Sequence, residues 1–239
     1  MRLVEPDGTT FETLYNSIMK NFRRLYFCLL LFVFLAVFSC KKAEEKTRST
    51  EGPKEENLPK IVAFGNSLTA GLGLDTSESY PAVLQKLLQS KGYKYEVINA
   101  GVSGDTTAGG VRRIDWSLEP GAQFLILELG ANDILRGQPI DLMKENLEQI
   151  IQKARSRAVT VLLVQMEAPV NAGPEYRKEA HQAFPDLANQ YHLTLIPFFL
   201  KGIVGNDRYI QADGTHPNAA GAQILAQNVF QSLQPLLKK

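Results

Sequence analysis

Ile61-Val62-Ala63-Phe64-Gly65-Asn66-Ser67-Leu68-Thr69-Ala70-Gly71 is the most informative stretch of this 239-residue chain. A short apolar, strand-prone run stops at Gly65, and a serine follows two positions later. Small residues then lead toward a helical segment. The pattern predicts a buried strand closing in a tight turn, with Ser67 held at the carboxyl edge of a sheet. In open parallel α/β sheets that edge is where ligands and chemistry collect. A serine placed there can be a nucleophile, a phosphate-binding hydroxyl or simply the N-cap of the next helix.

Working toward the C-terminus, apolar runs alternate with longer amphipathic stretches. The runs are Ile61–Phe64, Glu96–Asn99, Phe124–Glu128, Val159–Gln165 and Leu193–Pro197. Helices are predicted near Tyr80–Ser90, Gly110–Ser117, Ile140–Arg157, Glu175–Gln190 and Asn218–Leu237. The runs are nearly continuous in apolar residues, as strands buried on both faces are. Strands that alternate with helices of this length form βαβ units and a parallel sheet. Right-handed crossovers place the helices on both faces, so the expected fold is a three-layer α/β/α domain.

Working toward the N-terminus, the composition changes twice. From Lys41 to Asn57 the chain is almost devoid of apolar residues, which predicts a flexible tether over residues 41–57 and a folded domain over residues 58–239. Before the tether, Arg23 and Arg24 precede an apolar run from Leu25 to Phe38 that ends in Val37-Phe38-Ser39-Cys40. A basic start, an apolar stretch short for a membrane span and small residues before a cysteine predict a secretory signal. It resembles a bacterial lipoprotein signal with Cys40 as the lipidated first residue, although Phe38 is bulkier than the usual lipobox residue. An uncleaved membrane anchor is the alternative, and either places the domain outside the cytoplasm, at the cell envelope. Met19-Lys20 begins such a signal more naturally than Met1, so residues 1–18 read as an N-terminal extension from an upstream start.

Formal net charge is +1, with no basic block inside the domain, which argues against nucleic-acid binding. Cys28 and Cys40 are the only cysteines and both lie in the signal region, so the domain has no disulfide and no thiol chemistry. Three histidines without a usable cysteine give no metal-ligand spacing. His181, inside a helical pattern, and His192, at a helix-to-strand junction, read as structural.

Each predicted strand ends in unusual polar residues. They are Gly65-Asn66-Ser67, Ser103-Gly104-Asp105-Thr106, Gly130-Ala131-Asn132-Asp133, the segment Glu167–Pro174, and Asp213-Gly214-Thr215-His216-Pro217. Parallel strands bring these loops to one edge. Acyl transfer needs a nucleophile, a base, a group that orients the base and donors for the developing oxyanion. Ser67 is the candidate nucleophile and His216 the base, since imidazole titrates near neutral pH. Asp213, three residues before it, can fix the ring's tautomer. The Ser67 and Gly104 amides and the Asn132 side chain are candidate oxyanion donors. Each piece also has a plain reading. The Asp213–Asn218 segment can be a turn into the last helix with Pro217 at its first position. Asn132 can be a left-handed strand-end residue, and Gly104 can merely supply a positive φ.

These same residues carry a resemblance. Gly65-Asn66-Ser67-Leu68, Gly104, Gly130-Ala131-Asn132-Asp133 and Asp213-Gly214-Thr215-His216-Pro217 resemble blocks I, II, III and V of the SGNH/GDSL hydrolase superfamily, in order and spacing from about Lys60 to Pro235. Glu128–Gly137 and Ile196-Pro197-Phe198-Phe199 are similar to the bacterial arylesterase, thioesterase I and lysophospholipase branch. The resemblance implies a flavodoxin-like five-stranded parallel sheet. It also implies hydrolysis of aryl esters, acyl thioesters or lysophospholipids through an acyl-enzyme, with no cofactor, in a monomeric domain. The loop from Glu167 to Glu175, including Pro169 and Asn171, is expected to form one wall of the acyl site.

Asn66 departs from the family, which usually has Asp there. The change keeps size and hydrogen-bonding capacity but loses the charge. Because the orienting acid in this family is the one before the histidine, Asp213 here, the change is expected to tune the loop rather than abolish chemistry. Three other readings stand beside this one: a carbohydrate acetyl esterase on the same fold, a phosphate or flavin binder at the Gly65–Gly71 loop, and an inactive surface-binding lipoprotein.

Overall fold

The computed structural model describes residues 19–20, 58–118 and 120–239. The expected signal segment, Cys40 and the tether 41–57 lie outside the described residues. From Leu58 onward the chain is one α/β unit built on five parallel strands: β1 (Lys60–Gly65), β2 (Glu96–Gly101), β3 (Ala122–Glu128), β4 (Thr160–Val164) and β5 (Thr194–Ile196). The sheet order is β2-β1-β3-β4-β5. The helices are α1 (Ser67–Ala70), α2 (Tyr80–Ser90), α3 (Thr107–Ser117), α4 (Ala131–Leu135), α5 (Ile140–Ser156), α6 (Pro174–Tyr191) and α7 (Ala219–Leu233).

The chain leaves β1 toward β2 on one side, then crosses back to β3 on the other. That reversal opens a crevice between the carboxyl ends of β1 and β3, the place where doubly wound sheets bind ligands. Helix α2 packs against α7, while α3 packs against α5 and α5 against α6, so helices cover both faces of the sheet.

The three central strands are buried as expected from their unbroken apolar runs: Ile61–Phe64, Phe124–Leu127 and Val161–Val164 are all core residues. Strand β2 differs. Its residues are half-buried or exposed because it forms one edge of the sheet. Helix α5 shows why amphipathic spacing works: Ile140, Met143, Leu147, Ile150, Ile151 and Ala154 form its buried stripe. Asp141 in its first turn and Lys153 and Arg155 in its last complement the helix dipole.

Three helices differ from expectation. Helix α3 starts at Thr107 rather than Gly110, because Thr106 caps it by accepting from the Gly109 amide at 3.3 Å. Two consecutive glycines disguise that first turn in the sequence. Helix α4 occupies Ala131–Leu135, so Asn132 is helical and it is Gly130, at φ +112°, that takes the left-handed conformation. Helix α7 begins at Ala219 with Asn218 as its N-cap, which leaves Pro217 outside the helix, and it ends at Leu233 before a short 3₁₀ turn over Gln234–Leu236.

Candidate active site

The nucleophile candidate sits where β1 becomes α1. Asn66 is the N-cap: its Oδ1 accepts from the Leu68 amide at 3.0 Å and lies 3.5 Å from Ser67 Oγ. Ser67 is therefore the first helical residue and not the cap. Gly71, at φ +78°, stops this one-turn helix.

Beneath the turn lies a group that sequence reasoning passed over. In the β1–β3 register Gly65 is the partner of Glu128, whose side chain is fully buried. Asn66 donates to it twice, from its amide at 3.1 Å to Oε2 and from Nδ2 at 2.7 Å to Oε1. The Thr69 hydroxyl adds a bond of 2.8 Å to Oε2. A methyl group at position 65 would collide with both Glu128 Oε2 and Thr69 Oγ1, so glycine is required there for lack of room. Burial pushes the Glu128 carboxyl up to about 7, against the pull of the Thr69 and Asn66 donors. A charged residue closing an otherwise apolar strand run was the signal available in the sequence.

The second half of the site is the loop before α7. An antiparallel bridge between Ile210 and Pro217 closes it, and the Gln211 amide donates to the His216 carbonyl at 2.8 Å. Gln211 Nε2 donates to the Leu72 and Pro217 carbonyls at 2.8 and 2.9 Å, tying this loop to the segment just after α1. Within the loop, Asp213 Oδ1 accepts from the Thr215 and His216 amides at 2.9 and 3.0 Å. Asp213 Oδ2 lies 2.6 Å from His216 Nδ1, and His216 Nε2 lies 2.9 Å from Ser67 Oγ. The His216 amide, then the Thr215 amide and the His216 ring hold the Asp213 carboxyl down at about 2. An ionised Asp213 only accepts, so a neutral His216 carries its proton on Nδ1 and presents a lone pair at Nε2 to the serine hydroxyl.

Two more strand ends complete the neighbourhood. Gly104 has φ +80°, and among the described residues neither its amide nor that of Ser67 is spent on an internal acceptor. Asn132 Nδ2 donates one hydrogen to the Asp105 carbonyl at 2.8 Å, which leaves its other hydrogen available. Arg136 holds the Gly104 carbonyl at 3.0 Å. Asp133, buried, accepts from the Thr107 amide and hydroxyl at 2.9 and 2.6 Å, which anchors the start of α3 to the β3 end.

Arg113 on α3 is the other group missed in the sequence. Its Nε meets Asp105 at 2.7 Å, Nη1 the Ala100 carbonyl at 2.7 Å and Nη2 the Gly65 carbonyl at 2.9 Å. One guanidinium thus ties together the ends of β1 and β2 and the loop of Gly104.

Pro169 and Asn171 are exposed around the 3₁₀ turn Val170–Ala172 after β4, and among the described residues neither is bonded to Ser67, Asp213 or His216. His181 pairs with Glu167 at 2.8 Å, and His192 caps α6 with φ +51°. Among the described residues there is no group of three or more side chains that could hold a metal ion.

A bonded Ser–His–Asp row at the switch point of a doubly wound parallel sheet is the arrangement of a serine hydrolase of the three-layer α/β/α class. The chain belongs to the GDSL-like lipase/acylhydrolase family, which matches residues 63–224. It is 42% identical over 178 residues to the esterase TesA of Pseudomonas aeruginosa, across 74% of this chain and 89% of that protein. A crystal structure of TesA matches with a TM-score of 0.72, covering 74% of this chain and 99% of that one. The thioesterase 1/protease 1/lysophospholipase L1 of Escherichia coli is 31% identical over 220 residues, 92% of this chain and 98% of that protein. The psychrotrophic esterase EstA from Pseudoalteromonas sp., in a structure inhibited by monoethylphosphonate, matches with a TM-score of 0.71 at 30% identity, covering 74% of this chain and 98% of that one.

Proposed function

We propose that this protein is a serine esterase that hydrolyses carboxylic esters or thioesters, of the aryl ester, acyl thioester or lysophospholipid type, through an acyl-enzyme on Ser67. The observation that carries this reading is the continuous row from Ser67 Oγ to His216 Nε2 at 2.9 Å and from His216 Nδ1 to Asp213 at 2.6 Å. His216 Nε2 takes the hydroxyl proton as Ser67 Oγ bonds to the substrate carbonyl carbon. The ring, now doubly protonated, is stabilised by the ionised Asp213. The carbonyl oxygen gains the negative charge and receives bonds from the Ser67 and Gly104 amides and the free hydrogen of Asn132 Nδ2. Collapse of this intermediate breaks the bond to the alcohol or thiol, which leaves with the proton from His216. Water then repeats the sequence on the acyl-serine and releases the acid. No cofactor takes part in these steps.

Pro169 and Asn171 line one wall of the acyl site in this reading, because the segment after β4 borders the same sheet edge. The relatives' names as esterase, thioesterase and lysophospholipase support the substrate class. Cys40 carries the lipid that anchors the protein to a membrane of the cell envelope, and the tether 41–57 lets a monomeric domain work beside that membrane. The support for this anchor is the charge and hydropathy pattern of residues 23–40. Among the described residues no helix is long and apolar enough to cross a membrane.

A panel of p-nitrophenyl esters of increasing acyl length, an acyl thioester, a lysophospholipid and an acetylated sugar tests the reaction and its range. Turnover of the esters with labelling of Ser67 by an active-site phosphonate is the expected result. Turnover by Ser67→Ala, or labelling elsewhere, would overturn it.

A further inference from the structure

Ser67 is bracketed by two residues, Asn66 before it and Thr69 after it, and both are bonded to one carboxyl group 62 positions away from Asn66 in the chain. We propose that Glu128 is a positioning residue of this site: its buried carboxyl group, gripped by Asn66 and Thr69, fixes the backbone and rotamer of the nucleophile turn, and Asn66 supplies as a donor the bond that an acid at position 66 makes only by sharing a proton. The inference rests on the reading of Ser67 as the nucleophile.

Donors from Asn66 and Thr69 converge on both oxygens of Glu128. Glu128 Oε1 accepts from Asn66 Nδ2, and Oε2 accepts from the Asn66 amide and the Thr69 hydroxyl. Asn66 Oδ1 is then free to accept from the Leu68 amide, with Ser67 Oγ 3.5 Å away. Of these donors only the Thr69 hydroxyl can reverse. When Glu128 takes up a proton on Oε2 it can donate to Thr69, whose hydroxyl can turn to Tyr80 Oη, 3.4 Å away. The network is thus satisfied with Glu128 ionised or protonated. Tyr80 from α2, itself pushed far above the usual phenol range chiefly by burial, is the other titratable group that senses it, while Arg113 from α3 binds the Gly65 carbonyl and lies 3.8 Å over the Phe64 ring.

An amide at position 128 cannot be accommodated beside Asn66. In one orientation its NH₂ faces Asn66 Nδ2, and in the other it faces the Asn66 amide, two donors in either case. Flipping Asn66 only moves the clash to the Leu68 amide. An acid at position 66 instead places two carboxyls in contact, which pair by sharing one proton. Making both changes reverses the polarity of a single hydrogen bond and satisfies every group again, with one negative charge as before.

The test compares wild type, Glu128→Gln, Asn66→Asp and the double variant with a p-nitrophenyl ester at pH 6 and pH 8, alongside their melting temperatures. Glu128→Gln is expected to lose at least about tenfold in kcat at pH 8 with KM changed less than about twofold, the pattern of a lost positioning effect. Asn66→Asp, which restores the family's usual acid, should keep kcat within about tenfold of wild type, because a proton shared with Glu128 replaces the lost bond. The double variant should recover to within about threefold of wild type, a strongly non-additive cycle. A wild-type kcat in Glu128→Gln, or a double variant no faster than Glu128→Gln, overturns the proposal. So does recovery of melting temperature without recovery of kcat, which would make the network structural only. If Glu128→Gln does not fold, the double variant carries the same test alone: near wild-type kcat supports it and a tenfold loss overturns it. If wild type turns over no ester at all, the esterase reading fails by itself. The melting temperatures then still report on the Asn66–Glu128 pairing.

Discussion

In the proposed reaction three side chains carry the chemistry at the residue scale, and their environments separate their roles. Asp213 is held near 2 by the His216 and Thr215 amides, so it stays ionised through the working range and adds nothing to the acidic limb of the rate profile. Its pairing favours the folded state above the ordinary carboxylate range, and that benefit is lost as pH falls through the carboxylate range toward 2. Glu128 has the opposite sign. Burial raises it from 4.5 to about 7, so the folded state holds a proton the unfolded state releases. Stability from this group is full below about pH 4.5 and declines as pH rises through 7. Melting curves of the wild type between pH 4.5 and 7.5 should show this decline, and a flat profile would remove the raised carboxyl from the account. Ser67→Ala should keep the wild-type fold by circular dichroism and abolish turnover, since an alanine in that turn changes little packing. Gly65→Ala should lower stability by about 1–3 kcal/mol in urea titration, because its methyl meets the Glu128 carboxyl and the Thr69 hydroxyl in a tightly packed core. Ser67, Asp213, His216, Gly104 and Asn132 were legible in the sequence because each sits in a polar cluster that interrupts an apolar run. Glu128 was not, since its importance comes from standing beside Gly65 across two strands, and no one-dimensional spacing reveals that register.

At the scale of elements, alternating apolar runs and amphipathic stretches were enough to read the α/β/α layering and the five strands. The limits shifted where local chemistry outweighed propensity: Thr106 starts α3 through two glycines, and Asn218 rather than Pro217 starts α7. Asn218→Ala should cost about 1 kcal/mol of stability, the usual worth of a side-chain cap, measured by urea denaturation. Arg113 is the element-level clasp. Replacing it with Met keeps bulk over the Phe64 ring but releases the Gly65 and Ala100 carbonyls and Asp105. Arg113→Met should lower kcat at least about tenfold while leaving phosphonate labelling confined to Ser67, because the parts remain but their alignment loosens. A kcat within twofold of wild type would show that the strand ends hold their places without it.

For the whole molecule, the domain from Leu58 to Lys239 carries the complete Ser–His–Asp row. A chain beginning at Leu58 should hydrolyse esters as the full protein does, and Cys40→Ala should release the protein from membranes without changing kcat. Fractionation of cells expressing each form measures both, and membrane retention of a correctly processed Cys40→Ala protein would remove the lipid anchor from the account. One feature of the row has a temporal side. Ser67 and His216 stand 149 positions apart, and the loop bearing the histidine is seated against the segment after Ser67 by Gln211 and followed by α7, which packs on α2. The serine therefore has no base while the chain is still being synthesised. Ester hydrolysis at Ser67 is in this way withheld from a partly folded chain and begins only when the last helix closes against the first long one.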